Sequence, residues 1–213
     1  MNDSDRLFAS VMAGRVGVVT VALDGTISDG VAGGLTVLSG AFNPLHQGHE
    51  GMLNAATGIT GTVGVFELSV VNVDKPELPE DEVRERMSQF AGRYTALISR
   101  APTFLEKSRI MPGASFVIGY DTAVRLFDDR YYPAYQREAD PENTGSATLA
   151  AMSEIRRNGC AFIVAGRVTD DGFKTVRDLN VPAGYRPMLR GIPVEVFRED
   201  ISSTQIRRSS GTD

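Results

Sequence analysis

We predict an α/β fold in which a doubly wound, mainly parallel sheet is covered by helices on both faces. Short apolar runs rich in β-branched residues recur along the chain and alternate with longer segments of helical period. The apolar runs are nearly continuous, which is typical of parallel strands buried on both faces. The 213 residues, 42% of them apolar, allow one domain with a substantial core and a small appendage.

A short N-terminal hairpin is the appendage that we predict, over residues 1–33, with the main domain over residues 34–213. Val16–Leu23 and Thr26–Ile27 flank the pair Asp24-Gly25, which is favoured in two-residue hairpin turns. A glycine-rich stretch then separates the hairpin from the next apolar run. We therefore expect the hairpin to lie at the edge of the main domain.

The main domain is predicted to alternate strands with helices from its first residues onward. The predicted strands are Leu35–Ser39, Thr62–Val71, Tyr94–Ser99, Ser115–Ile118, Cys160–Ala165 and Val194–Phe197. The predicted helices are His46–Thr57, Glu80–Ala91, Pro102–Ile110, one from Asp121, Ser146–Asn158 and a short one near Ser203. This alternation is Rossmann-like, and such folds bind ligands beyond the carboxyl ends of the strands.

Composition and charge limit the partners that we expect. A formal net charge of −5 argues against a large nucleic-acid surface. One cysteine, Cys160, and two histidines do not support a structural zinc site, so no metal ligands are predicted. Val11–Leu23 is apolar but contains Arg15 and is too short to span a bilayer, and no signal-peptide layout follows it. We expect a cytoplasmic protein without a membrane partner; the sequence is silent on its oligomeric state.

The segment from Gly40 to His49 follows the first main-domain strand and enters a helix. Gly40 lets the backbone approach a ligand, and a helix start offers unpaired N–H groups that favour phosphate. His46 and His49 are three residues apart and share a face of the opening turn, which Gly48 leaves unobstructed. They are the only histidines in the chain. This favours a phosphate site over an ordinary strand–turn–helix junction.

Two motifs carry a resemblance to a known superfamily. Gly40–His49 resembles the G-x-F-x-P-x-H-x-G-H motif of the nucleotidylyltransferases, and Ile201–Arg207 resembles their I-S-S-T-x-I-R motif. The resemblance implies that His46 and His49 stabilise the charge that grows at the α-phosphate during transfer, and that Arg207, the third catalytic candidate, reaches a phosphate of the nucleotide. It implies nucleotide binding by Gly40, Ala41, Phe42, Gly48, Ser202, Ser203 and Thr204. Without it, Ser202–Arg208 is equally an ordinary helix start followed by solvated arginines.

Three further strand ends carry candidate side chains. Gly119 and Asp121 resemble the G-x-D element with which mononucleotide adenylyltransferases hold their nucleotides, although a helix N-cap aspartate is the plain alternative. Arg167 follows another predicted strand and is a candidate for a second substrate's phosphate, or a solvated loop residue. Asn72 and Lys75 follow the second main-domain strand and are candidates for the acceptor site, or part of a surface turn.

The resemblance implies a transferase that moves a nucleotidyl group, AMP from ATP, to a phosphorylated acceptor and releases pyrophosphate, with Mg²⁺ accompanying the nucleotide. The acceptor that it suggests is nicotinate or nicotinamide mononucleotide. Those enzymes stack the pyridine ring on a tryptophan, which this chain lacks, so Tyr131, Tyr132 or Tyr135 would have to replace it. The alternatives are a cytidylyltransferase using CTP, a phosphopantetheine adenylyltransferase, and a non-catalytic nucleotide-sensing module.

Overall fold

An eight-stranded sheet forms the centre of the protein in a computed structural model that describes residues 2–73, 76–132 and 146–198, with only the backbone of Ser146. Two further strands form a separate hairpin. The strands are β1 (Val18–Val21), β2 (Ile27–Asp29), β3 (Thr36–Ser39), β4 (Gly64–Ser69), β5 (Ala96–Ser99), β6 (Ser115–Gly119), β7 (Ala161–Ala165), β8 (Arg167–Thr169), β9 (Gly172–Lys174) and β10 (Leu189–Gly191). The helices are α1 (Asp3–Met12), α2 (Gln47–Thr60), α3 (Glu80–Ser88), α4 (Phe104–Ile110), α5 (Tyr120–Arg125) and α6 (Ser146–Arg157).

The sheet runs in the order β10-β7-β6-β3-β4-β5-β1-β2. Its six strands from β10 to β5 are parallel, and β1 and β2 add an antiparallel edge. The parallel part of the sheet starts at β3 and builds outward through β4 and β5, and the chain then returns to β6 on the other side of β3. This order, read from β5 to β10, is that of the doubly wound dinucleotide-binding folds. The predicted α/β, Rossmann-like and mainly parallel architecture is confirmed.

The sheet separates two apolar cores. On one face, strand residues such as Val37 and Phe116 pack with Leu105 of α4, Ala123 of α5 and Ile155 of α6. On the other face, alternate strand residues pack with residues of α1, α2 and α3, namely Phe8, Val11, Leu53, Val83 and Met87. Because successive strand side chains point to opposite faces, each central strand contributes to both cores, which explains its continuous apolar sequence.

The N-terminal hairpin predicted from Asp24-Gly25 is present as β1 and β2, and β1 pairs with β5, which lengthens the main sheet. Helix α1 precedes the hairpin and was not predicted, because Asp3, Asp5 and Arg6 leave it only short apolar pieces. Its Phe8 ring lies 3.9 Å from the Arg84 guanidinium of α3. Arg100, beyond β5, donates to the carbonyl of Met12 at 2.6 Å. The boundary at residue 34 stays a prediction, since the sheet runs across it.

The last predicted strand, Val194–Phe197, is wrong. The N–H groups of Val196 and Phe197 both donate to the carbonyl of Pro193, at 3.0 and 3.1 Å, so this segment is a turn and its valines are exposed. The last strand of the described sheet is β10, which is short, has a central arginine and was therefore not recognised. The β8–β9 hairpin was also not predicted. Ser203 and its predicted helix lie outside the described residues.

In the part of the chain that the structure describes, no helix is long and apolar enough to cross a membrane.

Candidate functional site

The carboxyl ends of the parallel strands bring most of the candidate residues to one edge of the sheet. Gly40 follows β3, Asn72 lies three residues beyond β4, Asp121 follows β6, and Arg167 begins β8 just after β7. The strand order reverses between β3 and β6, and this switch point is where doubly wound folds leave a crevice for ligands. The predicted candidates on described residues therefore surround the switch point or the adjoining strand ends.

His46 and His49 form the start of α2. His46 is the N-cap residue, and its Nδ1 accepts the N–H of Gly48 at 3.2 Å. His49 Nδ1 in turn accepts the backbone N–H of His46 at 3.3 Å. The two rings are stacked, with their centroids 3.8 Å apart. The two side chains thus occupy the role that Ser and Glu take in an ordinary capping box, and both lie on the same side of the helix start.

The same hydrogen bonds determine the tautomer of both rings. Because each Nδ1 accepts a backbone N–H, the proton of each neutral ring resides on Nε2. Burial, with a smaller contribution from the neighbouring His46, lowers the pKa of His49 to about 4. Burial also lowers the pKa of His46, although Glu50 opposes this effect. Near neutral pH the site therefore contains uncharged imidazoles whose Nε2–H groups are donors.

Helix α3 holds the loop that leads from β3 to His46. Arg86 Nη1 donates to the carbonyl of Ala41 at 2.8 Å, and Gln89 Nε2 donates to the carbonyl of Phe42 at 2.9 Å. Gln89 Oε1 accepts the N–H of Leu45 at 2.7 Å. Sequence reasoning missed both residues, since α3 is more than forty residues downstream and no local pattern links it to the loop.

Phe42 is an internal support of the loop. Its side chain is 1% exposed, and its ring packs edge-on against His49, with centroids 5.1 Å apart. It also has a φ of +46°, which a non-glycine residue adopts only under strain. A Cβ on Gly40 would lie 2.8 Å from this ring, so the glycine makes room for Phe42. Phe42 as a whole is therefore buried beneath the loop.

A cavity of about 380 Å³ lies beside this loop, beyond the ends of β3 and β4. Gly40, Ala41 and Asn72 line it, in keeping with their common position at the strand ends. The cavity is also lined by Tyr131 and Tyr132, two of the three tyrosines considered as aromatic partners, whereas Tyr135 lies outside the described residues. The space therefore combines polar strand ends with aromatic surface.

A buried ion pair, which sequence reasoning missed, lines the same cavity. Lys107 Nζ of α4 contacts both carboxylate oxygens of Glu67 at 2.6 and 2.7 Å, and their side chains are 5% and 0% exposed. Ser99 Oγ of β5 also donates to this carboxylate. A single glutamate within the apolar strand β4 was the signal that could have revealed it, because charged residues are buried only with partners.

Asp121 and Arg167 form an ion pair with each other across the ends of β6 and β7. Both side chains are about half exposed. Neither residue lines the cavity, so the structure separates Arg167 from Asn72, although both were predicted for the acceptor site. The pair places one anionic and one cationic group on the β6–β7 side of the switch point. Lys75 is outside the described residues.

The segment with the second motif, Ser202, Ser203, Thr204 and Arg207, also lies outside the described residues. The chain that leads to it is described up to Arg198. Phe197 lies against Gly51 of α2, where an added Cβ would be 2.9 Å from the Phe197 ring.

Among the described residues, no three His, Cys, Asp or Glu side chains come together as a metal site.

Comparison with protein families finds a match over most of the chain. A family model described as "Cytidylyltransferase-like" matches residues 37–209. The matched segment begins within β3 and extends past the Ser202–Arg208 segment. A search of curated proteins finds no match.

Proposed function

The chain belongs to the cytidylyltransferase-like family of the nucleotidyltransferase superfamily, and on this premise we propose that it transfers AMP from ATP to a phosphorylated small-molecule acceptor. The family supports nucleotidyltransferase activity in general. The choice of ATP, and of nicotinate or nicotinamide mononucleotide as acceptor, rests on the G-x-D element at Gly119 and Asp121. The observation that carries the proposal is the pair of neutral imidazoles at the start of α2.

Two Nε2–H donors at a helix N-terminus suit a triphosphate. The opening N–H groups and the positive end of the helix dipole favour an anion there. The stacked rings of His46 and His49 hold their donors in a fixed relation before any substrate arrives. Donors that are already oriented stabilise negative charge that grows in the transition state without the cost of reorganisation.

In the proposed reaction an oxygen of the acceptor phosphate attacks the α-phosphorus in line with the leaving pyrophosphate. A new P–O bond forms, the bond between the α-phosphorus and the bridging oxygen breaks, and pyrophosphate takes the electron pair. His46 and His49 donate hydrogen bonds to the phosphate oxygens, and no covalent protein intermediate is needed. Arg207, with Ser202, Ser203 and Thr204, is proposed to hold the β- and γ-phosphates.

The remaining candidates are assigned to the two substrates. Asp121 is proposed to accept hydrogen bonds from the ribose hydroxyls of the nucleotide, and its ion pair with Arg167 would open or adjust on binding. Asn72 and Lys75 are proposed for the acceptor, and Asn72 lines the cavity beside the loop. Tyr131 lines the same cavity and is suited to stack against a planar group.

Mg²⁺ is proposed to arrive with the triphosphate. Mg²⁺ sites commonly use one or two carboxylates together with substrate phosphates and water, so a preformed protein cluster is not required. The metal would neutralise phosphate charge, while the residues named above orient the reactants.

The proposal is tested by pyrophosphate release from ATP or CTP with a panel of phosphorylated acceptors, including nicotinate mononucleotide, nicotinamide mononucleotide and phosphopantetheine. We expect acceptor-dependent release with ATP that His49→Ala reduces by at least a hundredfold. Preference for CTP would select the cytidylyltransferase alternative. Tight ATP binding without turnover on any acceptor would contradict the transferase and favour a sensing module.

A further inference from the structure

Two buried side-chain atoms have no hydrogen-bond partner among the described residues, and both belong to residues that line one cavity. They are Ser39 Oγ, at the end of β3, and Arg86 Nε, on α3. Both residues line the 380 Å³ cavity beside the loop. Buried polar atoms are nearly always paired, so an unpaired one in a folded protein calls for an explanation such as an absent ligand. The coincidence of both atoms at one cavity indicates the same absent partner.

The chemistry of the two groups defines what that partner must provide. Arg86 Nε–H is a donor only, and the Ser39 hydroxyl has its own proton to donate. The terminal nitrogens of Arg86 are already committed to the Ala41 carbonyl and to Glu82. The Arg86 side chain is 12% exposed, so a hydrogen bond to it is only weakly screened. A ligand with anionic oxygen acceptors fits these two donors, and a phosphate matches a guanidinium best.

The position of the two donors indicates whether the bound phosphate belongs to the nucleotide or to the acceptor. Gly40 and Ala41, which precede the two histidines, line the same cavity, whereas His46, His49, Asp121 and Arg167 do not. A phosphate at Ser39 and Arg86 would thus lie beside the proposed nucleotide site, where an attacking group must be. We infer that Ser39 and Arg86 form the subsite for the acceptor's phosphate. The identification of the bound phosphate as the acceptor's rests on the proposed function. The existence of a phosphate subsite at these residues is testable without it.

The test is a calorimetric titration of inorganic phosphate into the protein, both alone and saturated with a non-hydrolysable ATP analogue. The key variant is Ser39→Ala, which removes a hydroxyl that is unpaired in the free protein. We expect its phosphate affinity to fall about tenfold, because a hydrogen bond to a charged group is lost. We also expect its melting temperature to be unchanged or higher, because an unsatisfied buried group costs stability.

Ser69→Ala is the matched control. Ser69 likewise ends a central strand and lines the cavity, but its hydroxyl is already within 2.7 Å of the Val71 carbonyl and 3.0 Å of the Ala101 carbonyl. We expect this variant to lose melting temperature and keep its phosphate affinity. Arg86→Lys is a second variant, which keeps the charge and loses the Nε donor, and it should weaken phosphate binding as Ser39→Ala does.

The inference is overturned if Ser39→Ala binds phosphate as tightly as the wild type, or if no phosphate binds in either state. It is also overturned if the ATP analogue displaces the phosphate, since the phosphate then occupies the nucleotide's own site. Failure of the proposed function gives a different result: neither ATP nor CTP is turned over on any acceptor, while phosphate still binds in a Ser39-dependent manner. That outcome supports the subsite and rejects the transferase.

Discussion

Gly51 and Gly58 of α2 offer a matched pair of substitutions that tests whether the packing of Phe197 on α2 matters for nucleotide binding. Both glycines lie within the helix Gln47–Thr60. An added Cβ at Gly51 would lie 2.9 Å from Cε2 and 3.3 Å from Cδ2 of Phe197, whereas at Gly58 it would meet nothing within 4 Å. Gly51→Ala therefore displaces Phe197, and Gly58→Ala changes only the helix.

The expected magnitudes follow from these contacts. Alanine is favoured over glycine in a helix interior by up to about 1 kcal/mol, so Gly58→Ala should raise the free energy of unfolding by about 0.5–1 kcal/mol. Gly51→Ala has the same helix advantage but must move the Phe197 ring, whose full burial would be worth about 1.5–3 kcal/mol. Because Phe197 is only partly buried, the loss should be about half of that. The two variants should therefore differ by about 1 kcal/mol.

The assay is urea unfolding of both variants, followed by calorimetric titration with a non-hydrolysable ATP analogue. Displacing Phe197 removes the anchor that precedes Ser202, so Gly51→Ala should bind the analogue several-fold more weakly than Gly58→Ala does. A second substitution, Phe197→Leu in the Gly51→Ala background, should recover part of the stability, since the smaller side chain leaves room for the Cβ. Equal stability and equal nucleotide affinity of the two single variants would refute this reasoning.

Three further predictions concern the buried groups of the site. Lys107→Met should lower the free energy of unfolding at pH 7 by about 3–5 kcal/mol because Glu67 is left buried and unpaired; adding Glu67→Gln should restore most of that loss, as measured by urea unfolding. The pKa of His49 is about 4 in the folded protein, below its usual 6.5, so its contribution to stability is complete above pH 6.5 and lost as the pH falls towards 4. The free energy of unfolding should depend less on pH across this range in His49→Gln than in the wild type. An equal pH dependence in the two proteins would contradict the lowered pKa. Gln89→Ala should lower the free energy of unfolding by about 1–3 kcal/mol, since it leaves the Leu45 N–H and the Phe42 carbonyl without their partner. Thermal melts measure this loss of stability, and a fall in triphosphate affinity in calorimetry shows that the loop before His46 has lost its support.

The central sheet was predictable because each buried strand has a compact apolar signature. The predicted strands before β8 match the observed ones to within a few residues, and their alternation with helices indicated a parallel sheet. The errors lie where burial is partial. Val194–Phe197 is apolar enough for a strand, but it forms a turn in which the Pro193 carbonyl accepts the N–H groups of Val196 and Phe197. Strand β10 has only three residues, and its fit depends on parallel pairing with β7, which no local pattern reports.

The candidate site was predictable where its residues are consecutive. Gly40 to His49 could be recognised as one segment, and the stacked contact of its two histidines follows from their spacing. Residues that act from a distance could not be found in this way. Arg86 and Gln89 reach the loop from α3, and Lys107 meets Glu67 forty positions away. Those partnerships depend on how α3 and α4 pack on opposite faces of the sheet.

The central claim is that His46 and His49 are neutral imidazoles that donate from Nε2 to a nucleotide phosphate. Nitrogen-15 NMR of the two rings measures this directly, because the chain contains only two histidines. At pH 7 we expect both rings to carry their proton on Nε2 and to leave Nδ1 unprotonated. Adding an ATP analogue should shift both Nε2 resonances and raise the pKa of His49 above its value of about 4. Nδ1-protonated rings, or Nε2 signals that do not respond to saturating nucleotide, would contradict the claim.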